Sequence, residues 1–162
     1  MHSNSKYRKD GMSEESLQLV TFKVGNEEFG IDIKKVQEIN RMIDVTKIPN
    51  APAYVEGIVN LRGKIIPVVS LRSKLGFDEV ERDKATRIVV IEIEGRVLGF
   101  IVDSVSEVLR IQDPTVEAPP SITGGSDSGY MEGVINLTDR ILILLDLKAL
   151  FADDAKRDKR AA

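Results

Sequence analysis

The chain has 162 residues, enough to bury a hydrophobic core, with 23 basic against 26 acidic side chains and a formal charge of -3. That balance lacks the cationic footprint a phosphate backbone demands, and no run approaches the roughly 18 apolar residues that cross a bilayer; the sequence predicts a cytoplasmic protein with no nucleic acid and no membrane insertion. Cysteine is absent and the single histidine, His2, lies in a polar leader, which excludes disulfides, thiolate chemistry, a histidine metal cluster and a Ser-His-Asp constellation.

Residues 1 to 16 read as a flexible leader. Val20, Phe22 and Val24 then alternate with Thr21 and Lys23, Gly25-Asn26 marks a turn, and Phe29, Ile31 and Ile33 alternate again, which predicts a β-hairpin. The segment Val36-Gln37-Glu38-Ile39 follows as an edge-like strand. A second hairpin runs from Glu56 to Leu61 and from Lys64 to Leu71 through Arg62-Gly63, and Leu71 to Leu75 has room for one helical turn. Pro67 cannot donate to a central ladder, so it predicts an edge or a bulge.

The plan then repeats. Ile88 to Ile93, Glu94-Gly95 and Arg96 to Val102 restate the first hairpin with a shift of 69, Gly99 standing where Gly30 stood, and Val105-Ser106-Glu107-Val108 restates the edge segment. Glu132 to Leu137 and Arg140 to Leu147, turned at Thr138-Asp139, restate the second hairpin with a shift of 76. Residues 54 to 75 and 130 to 151 share seven identities without a gap. The two shifts differ by seven, which places extra residues between Val108 and Tyr130, including the glycine-rich stretch 124 to 129. Leu147 to Phe151 mirrors the first helical turn, and the tail from Ala152 reads as a frayed end.

Two hairpins and one strand per copy predict an all-β fold of two small five-stranded barrels with very little helix. Ile65 to Val69, Ile88 to Ile91 and Ile141 to Leu145 are apolar on both faces, so their outer faces are expected either to meet in a shared core or to serve as docking surface. Motifs for chemistry are missing. The glycine-rich stretch lacks the lysine ending of a phosphate-cradling loop, no calcium-loop spacing occurs, and Glu27-Glu28 and Asp153-Asp154 read as solvated surface. No catalytic residue, cofactor or metal site is predicted.

The run Phe29-Gly30-Ile31-Asp32-Ile33 with Val36-Gln37-Glu38-Ile39, then Ile48-Pro49, then Gly57-Ile58-Val59-Asn60-Leu61-Arg62-Gly63-Lys64-Ile65-Ile66-Pro67-Val68-Val69, closely resembles the bacterial chemotaxis coupling proteins of the CheW-like family. The resemblance covers about Gln18 to Phe151. It implies one domain over 17 to 151, built of two intertwined SH3-like barrels approximately at 17 to 85 and 86 to 151. It further implies a non-enzymatic adaptor joining the cytoplasmic tips of methyl-accepting chemoreceptors to the regulatory domain of the histidine kinase CheA. The same scaffold serving a non-chemotactic kinase pathway is the alternative, and a small-barrel nucleic-acid binder is disfavoured by the charge. Carried over by position, Val36, Glu38, Arg62 and Val108 become the receptor-binding residues, while Glu117 and Ile122, in the loop Val116 to Ile122, become the kinase-binding ones. The chain departs from the family pattern at Ser70, where an aspartate is usual and the second copy keeps Asp146. It departs again where Thr138 replaces the turn arginine, so that the copies are expected to differ in charge and to serve separate partners.

Overall fold

A computed structural model describes residues 16–112, 116–118 and 129–152. The strands are β1 (Ser16–Val24), β2 (Glu27–Asp32), β3 (Val36–Arg41), β4 (Val55–Leu61), β5 (Lys64–Ser70), β6 (Arg87–Ile93), β7 (Arg96–Val102), β8 (Ser104–Gln112), β9 (Val116–Glu117), β10 (Met131–Asn136) and β11 (Ile141–Leu145). Among the described residues the helical elements are α1 (Leu71–Leu75), α2 (Leu147–Leu150), a 3-10 turn at Ile33–Lys35 and 3-10 conformation at 129–130; the turn at Ile33–Lys35 ends the first hairpin one residue earlier than alternation predicts. Ser16, read above as part of the leader, pairs with Gln112 at the start of β1. Two of the hairpin turns place both central residues at positive φ, Arg62 and Gly63 at 54° and 84°, Glu94 and Gly95 at 50° and 81°. That is the turn geometry whose twist matches paired strands.

The strands form a six-stranded sheet in the order β8-β1-β2-β11-β10-β9 and a five-stranded sheet in the order β3-β6-β7-β5-β4. Neither sheet is made from one half of the chain. Hairpin β1-β2 joins the strands of the second copy, and hairpin β6-β7 joins those of the first. Each hairpin is held on one side by a long antiparallel pairing, β1 with β8 and β6 with β3, and on the other by a short parallel one, in which Val68 faces Gly99 and Leu144 faces Gly30. These are equivalent positions in the two copies, which explains why the glycines recur together.

The packing has three layers of apolar residues. Val59, Ile66, Val68, Ile88, Val90 and Ile101 fill the interior of the five-stranded sheet, and Leu19, Ile135, Leu142 and Leu144 fill the other. Between them lies a larger shared core in which Phe22 stacks on Phe29 at 6.0 Å and leans on Phe100 at 5.5 Å, while Phe100 stacks on Phe151 at 6.2 Å. Alternate residues of β6 divide between the two compartments, Val89 and Ile91 facing the shared core and Ile88 and Val90 the sheet's own. This is why β6 is apolar on both faces. The other two doubly apolar strands are different, because Ile65 and Ile141 at their starts stay exposed.

Pro67 stands at a local edge, as its missing N–H predicts, although β5 as a whole lies inside its sheet. Its pairing with β7 begins only at Val68, and Pro67 is matched on the other side by Ile58 alone, so the missing N–H falls where the ladder has no second neighbour. Gly57 occupies a bulge of β4 at a φ of 147°. A Cβ there would meet the Thr46 carbonyl oxygen at 2.1 Å, because Thr46 and Ile58 exchange two backbone hydrogen bonds of 2.9 Å. Gly133 in β10 has the same duty, its missing Cβ making room for Val116 of β9. The pairing of Glu117 with Val134 is thus the second copy's version of the Thr46 and Ile58 bridge.

Candidate docking site

Glu38 and Arg62 come together. Glu38 lies on edge strand β3 and Arg62 follows β4 at the opposite edge of the same sheet, yet Arg62 Nη2 donates to Glu38 Oε1 at 3.1 Å. Opposite edges meet only if the sheet curls into a barrel, so the ion pair fastens the closure. The Asn40 amide donates to the same oxygen at 3.1 Å, a contact that the sequence reading did not anticipate. Arg62 is 77% exposed while Glu38 is 26% exposed. An exposed pair of this kind contributes about 0.2–1 kcal/mol and leaves most of the guanidinium donors available.

Val36, also on β3, is half-buried and packs against the shared core opposite Ile91. Val108 stands on β8 of the other sheet, opposite Val20, and is 53% exposed. The four residues that the resemblance assigns to the receptor side therefore span both sheets, and Glu38 and Arg62 among them are joined by an ion pair of 3.1 Å. Glu117 is an exposed residue of β9 paired with Val134. Ile122, Asp153 and Asp154 lie outside the described residues.

The expected divergence of charge between the copies stands at this turn, where Arg62-Gly63-Lys64 answers to Thr138-Asp139-Arg140, but one ion pair survives it. Arg140 replaces the missing turn arginine from two residues further along, donating to Glu107 Oε2 at 3.0 Å, and Glu107 is the repeat counterpart of Glu38. Arg140 also donates to Glu28 Oε1 at 2.6 Å and to Asp139 at 3.1 Å. The hydrogen bond to Glu28, with that carboxylate's charge, raises the Arg140 guanidinium above its ordinary value. Glu28 is only 8% exposed, so it is not the solvated surface acid that its place beside a turn predicts. The glutamate shared by the two edge segments was the available signal for this second tie. What distinguishes the barrels is occupancy, since Arg140 contacts three carboxylates and Arg62 one.

Exposed aliphatics recur in the same way. Ile39 and Val108 are counterparts, 37% and 53% exposed, and Ile65 and Ile141 are counterparts, 61% and 57% exposed. Each barrel thus shows water an aliphatic side chain on its edge segment, another at the start of a hairpin strand, and a fastened glutamate-arginine pair. Recurrent exposed aliphatics beside ordered charges are the makings of protein interfaces. Among the described residues no three His, Cys, Asp or Glu side chains group as metal ligands, and no helix is long and apolar enough to cross a membrane.

Fold and surface together define a duplicated β-barrel protein of the protein-docking class. Residues 18–155 match the model of the CheW-like domain, and the chain belongs to that family. It is 38% identical over 145 residues to the chemotaxis protein CheW of Treponema pallidum, covering 87% of this chain and 85% of that protein. It is also 38% identical over 137 residues to CheW of Klebsiella aerogenes, covering 85% and 82%. The crystal structure of the scaffolding protein TtCheW from Thermoanaerobacter tengcongensis superposes with a TM-score of 0.77 at 39% identity, covering 83% of this chain and 92% of that one.

Proposed function

We propose that the chain is a non-enzymatic chemotaxis adaptor that couples the cytoplasmic tips of chemoreceptors to the regulatory domain of a histidine kinase. The observation that carries this reading is the CheW-like match over nearly all of the described chain, with relatives named as chemotaxis and scaffolding proteins at up to 39% identity. Val36, Glu38, Arg62 and Val108 serve the receptor side. Arg62 suits that role because its turn presents it outward and its ion pair with Glu38 fixes its direction without consuming its donors. Glu117 and Ile122 serve the kinase side. The adaptor transmits a signal by linkage: a receptor state that binds it differently shifts the kinase equilibrium by no more than that difference.

Reconstituted phosphorylation with receptor and kinase, with and without this protein, tests the reading. Receptor control of kinase activity is expected only when it is present, and control that persists without it would sink the proposal. Arg62→Glu sharpens the test. It sets a second carboxylate beside Glu38, so receptor binding is expected to weaken about tenfold or more. Kinase binding and the thermal midpoint should change little, because an exposed pair contributes less than about 1 kcal/mol.

A further inference from the structure

Arg41 and Arg87 are direct partners in the antiparallel register of β3 and β6. Like charges facing each other on one face of a sheet destabilise it, so their retention calls for a cause. The fold does not impose the pairing. At the equivalent register of the other sheet, Arg110 faces the neutral Gln18. The doubled arginine therefore belongs to this barrel alone.

The two arginines line a cleft of about 450 Å³ together with Lys84, Met42, Thr86 and Asp83. Arg87 is aimed into place by its own backbone, Nη1 donating to the carbonyls of Lys84 at 2.7 Å and Thr86 at 3.0 Å. Among the described residues no carboxylate lies within ion-pair distance of Arg41, Lys84 or Arg87. The acid in the cleft, Asp83, is engaged within its own turn, accepting from the Ala85 amide at 2.9 Å and the Thr86 hydroxyl at 3.4 Å. Three cations thus line one opening without a carboxylate partner among the described residues, in a chain whose net charge is -3.

The cleft continues past Met42 and Asp83 into a second one of about 390 Å³ that adds Ile43, Val45 and Lys47, together with Asp44 and with Glu56, which is neutralised by Arg82 at 2.6 Å. Met42, Ile43 and Val45 are half-buried against the barrel interior, so the floor here is aliphatic. A free phosphate would make no use of such a floor. A peptide would, with its carboxylates at the arginines and its aliphatic side chains on the methionine and isoleucine.

We propose that this groove, at the end of β3 and under the segment joining the two copies, docks an acidic segment of a partner protein. Carboxylates of that segment sit between Arg41 and Arg87, and adjoining aliphatic residues pack on Met42 and Ile43. The inference does not rest on the receptor and kinase assignment, since none of those residues lines the groove.

The test is fluorescence anisotropy with a labelled peptide of alternating glutamate and leucine, against a twin with glutamine for each glutamate. The acidic peptide is expected to bind, more weakly as salt rises, and the glutamine twin to fail. Arg41→Gln should cut the affinity about tenfold or more, as the loss of a charge-assisted hydrogen bond does, while leaving the thermal midpoint equal or higher because it relieves the repulsion with Arg87. The counterpart Arg110→Gln should leave peptide affinity unchanged. No binding, equal binding of the twin, unaltered affinity in Arg41→Gln, or displacement by inorganic pyrophosphate at the concentration that the peptide requires would each overturn the proposal. So would sedimentation showing that the groove is filled by a second copy of the chain.

Discussion

Asp103 stands between β7 and β8 with both carboxylate oxygens engaged. Arg72 of α1 donates through Nε at 2.9 Å and Nη2 at 2.8 Å, the Gly25 amide in the first hairpin turn donates at 2.8 Å, and Arg72 Nη1 reaches the Asp78 carbonyl at 2.6 Å. One aspartate therefore binds a turn and a helix that are remote in sequence. Burial pushes its carboxyl up, but the hydrogen bonds from Arg72 and Gly25 and the guanidinium charge outweigh that and hold it below the usual carboxylate range. A carboxyl lowered in the folded state stabilises the protein above its unfolded value of about 3.9, and the stabilisation is lost as pH falls through the folded value. Asp103→Asn is accordingly expected to be less stable than the parent at neutral pH, with the gap in urea midpoint closing in acid as the parent's carboxyl protonates. A gap that stays constant down to the acid limit would show that the charge contributes nothing.

At the scale of elements, the two helical turns show how one substitution is absorbed. Asp146 caps α2 by accepting from the Ala149 amide at 3.1 Å. Its counterpart Ser70 caps α1 by accepting from the Ser73 amide at 3.2 Å, and the carboxylate missing there is supplied by Glu79, whose Oε2 accepts from Ser70 at 2.6 Å and from Ser73 at 2.5 Å. The fold is kept and a local hydrogen bond changes, as the residue type implies. Restoring the family's aspartate is then expected to harm: Ser70→Asp sets two carboxylates in contact, and its loss, about 1 kcal/mol on the scale of a helix cap, should be reversed by adding Glu79→Gln. A Ser70→Asp variant as stable as the parent would remove Glu79 from this role. The elements themselves were legible because each signal is local, alternation within a strand and Arg62-Gly63 or Glu94-Gly95 at a turn. Glu38 and Arg62 were singled out together through family position, and barrel closure does join them. Arg140 was not, because its tie to Glu107 joins residues brought together by barrel closure alone, and an arginine displaced by two residues looks in a repeat comparison like an arginine lost. Burial of Glu28 was hidden for the same reason.

The exchange of hairpins sets the behaviour of the whole molecule. The repeat divides the sequence near residue 85, but β1 and β2 complete the sheet of β8, β10 and β11, while β6 and β7 complete that of β3, β4 and β5. No local pattern signals this, since a hairpin has the same alternation whichever sheet receives it. Each exchanged hairpin is held by a long antiparallel pairing, β1 with β8 and β6 with β3, by a short parallel pairing of two or three residues, and by the shared core, where Phe22 stacks on Phe29 of its own hairpin and meets Phe100 of the other. Each half cut at residue 85 would expose that core and strand a hairpin with no sheet to join, and an isolated two-stranded hairpin is marginal in water. Fragments 16–85 and 86–152, made separately, are expected to lack a cooperative thermal transition by circular dichroism, and mixing them should restore one. The intact chain should melt in a single transition, its two sheets unfolding together, with Phe100→Ala lowering stability by about 3–5 kcal/mol for both at once. Either fragment melting cooperatively alone would show that the repeat units are separable domains. A two-step melt of the intact chain would show that the shared core does not bind the sheets into one unit, and any mechanical coupling that the proposed adaptor role needs between its two docking faces would then have to run through the Glu38–Arg62 and Arg140 ties at the barrel seams.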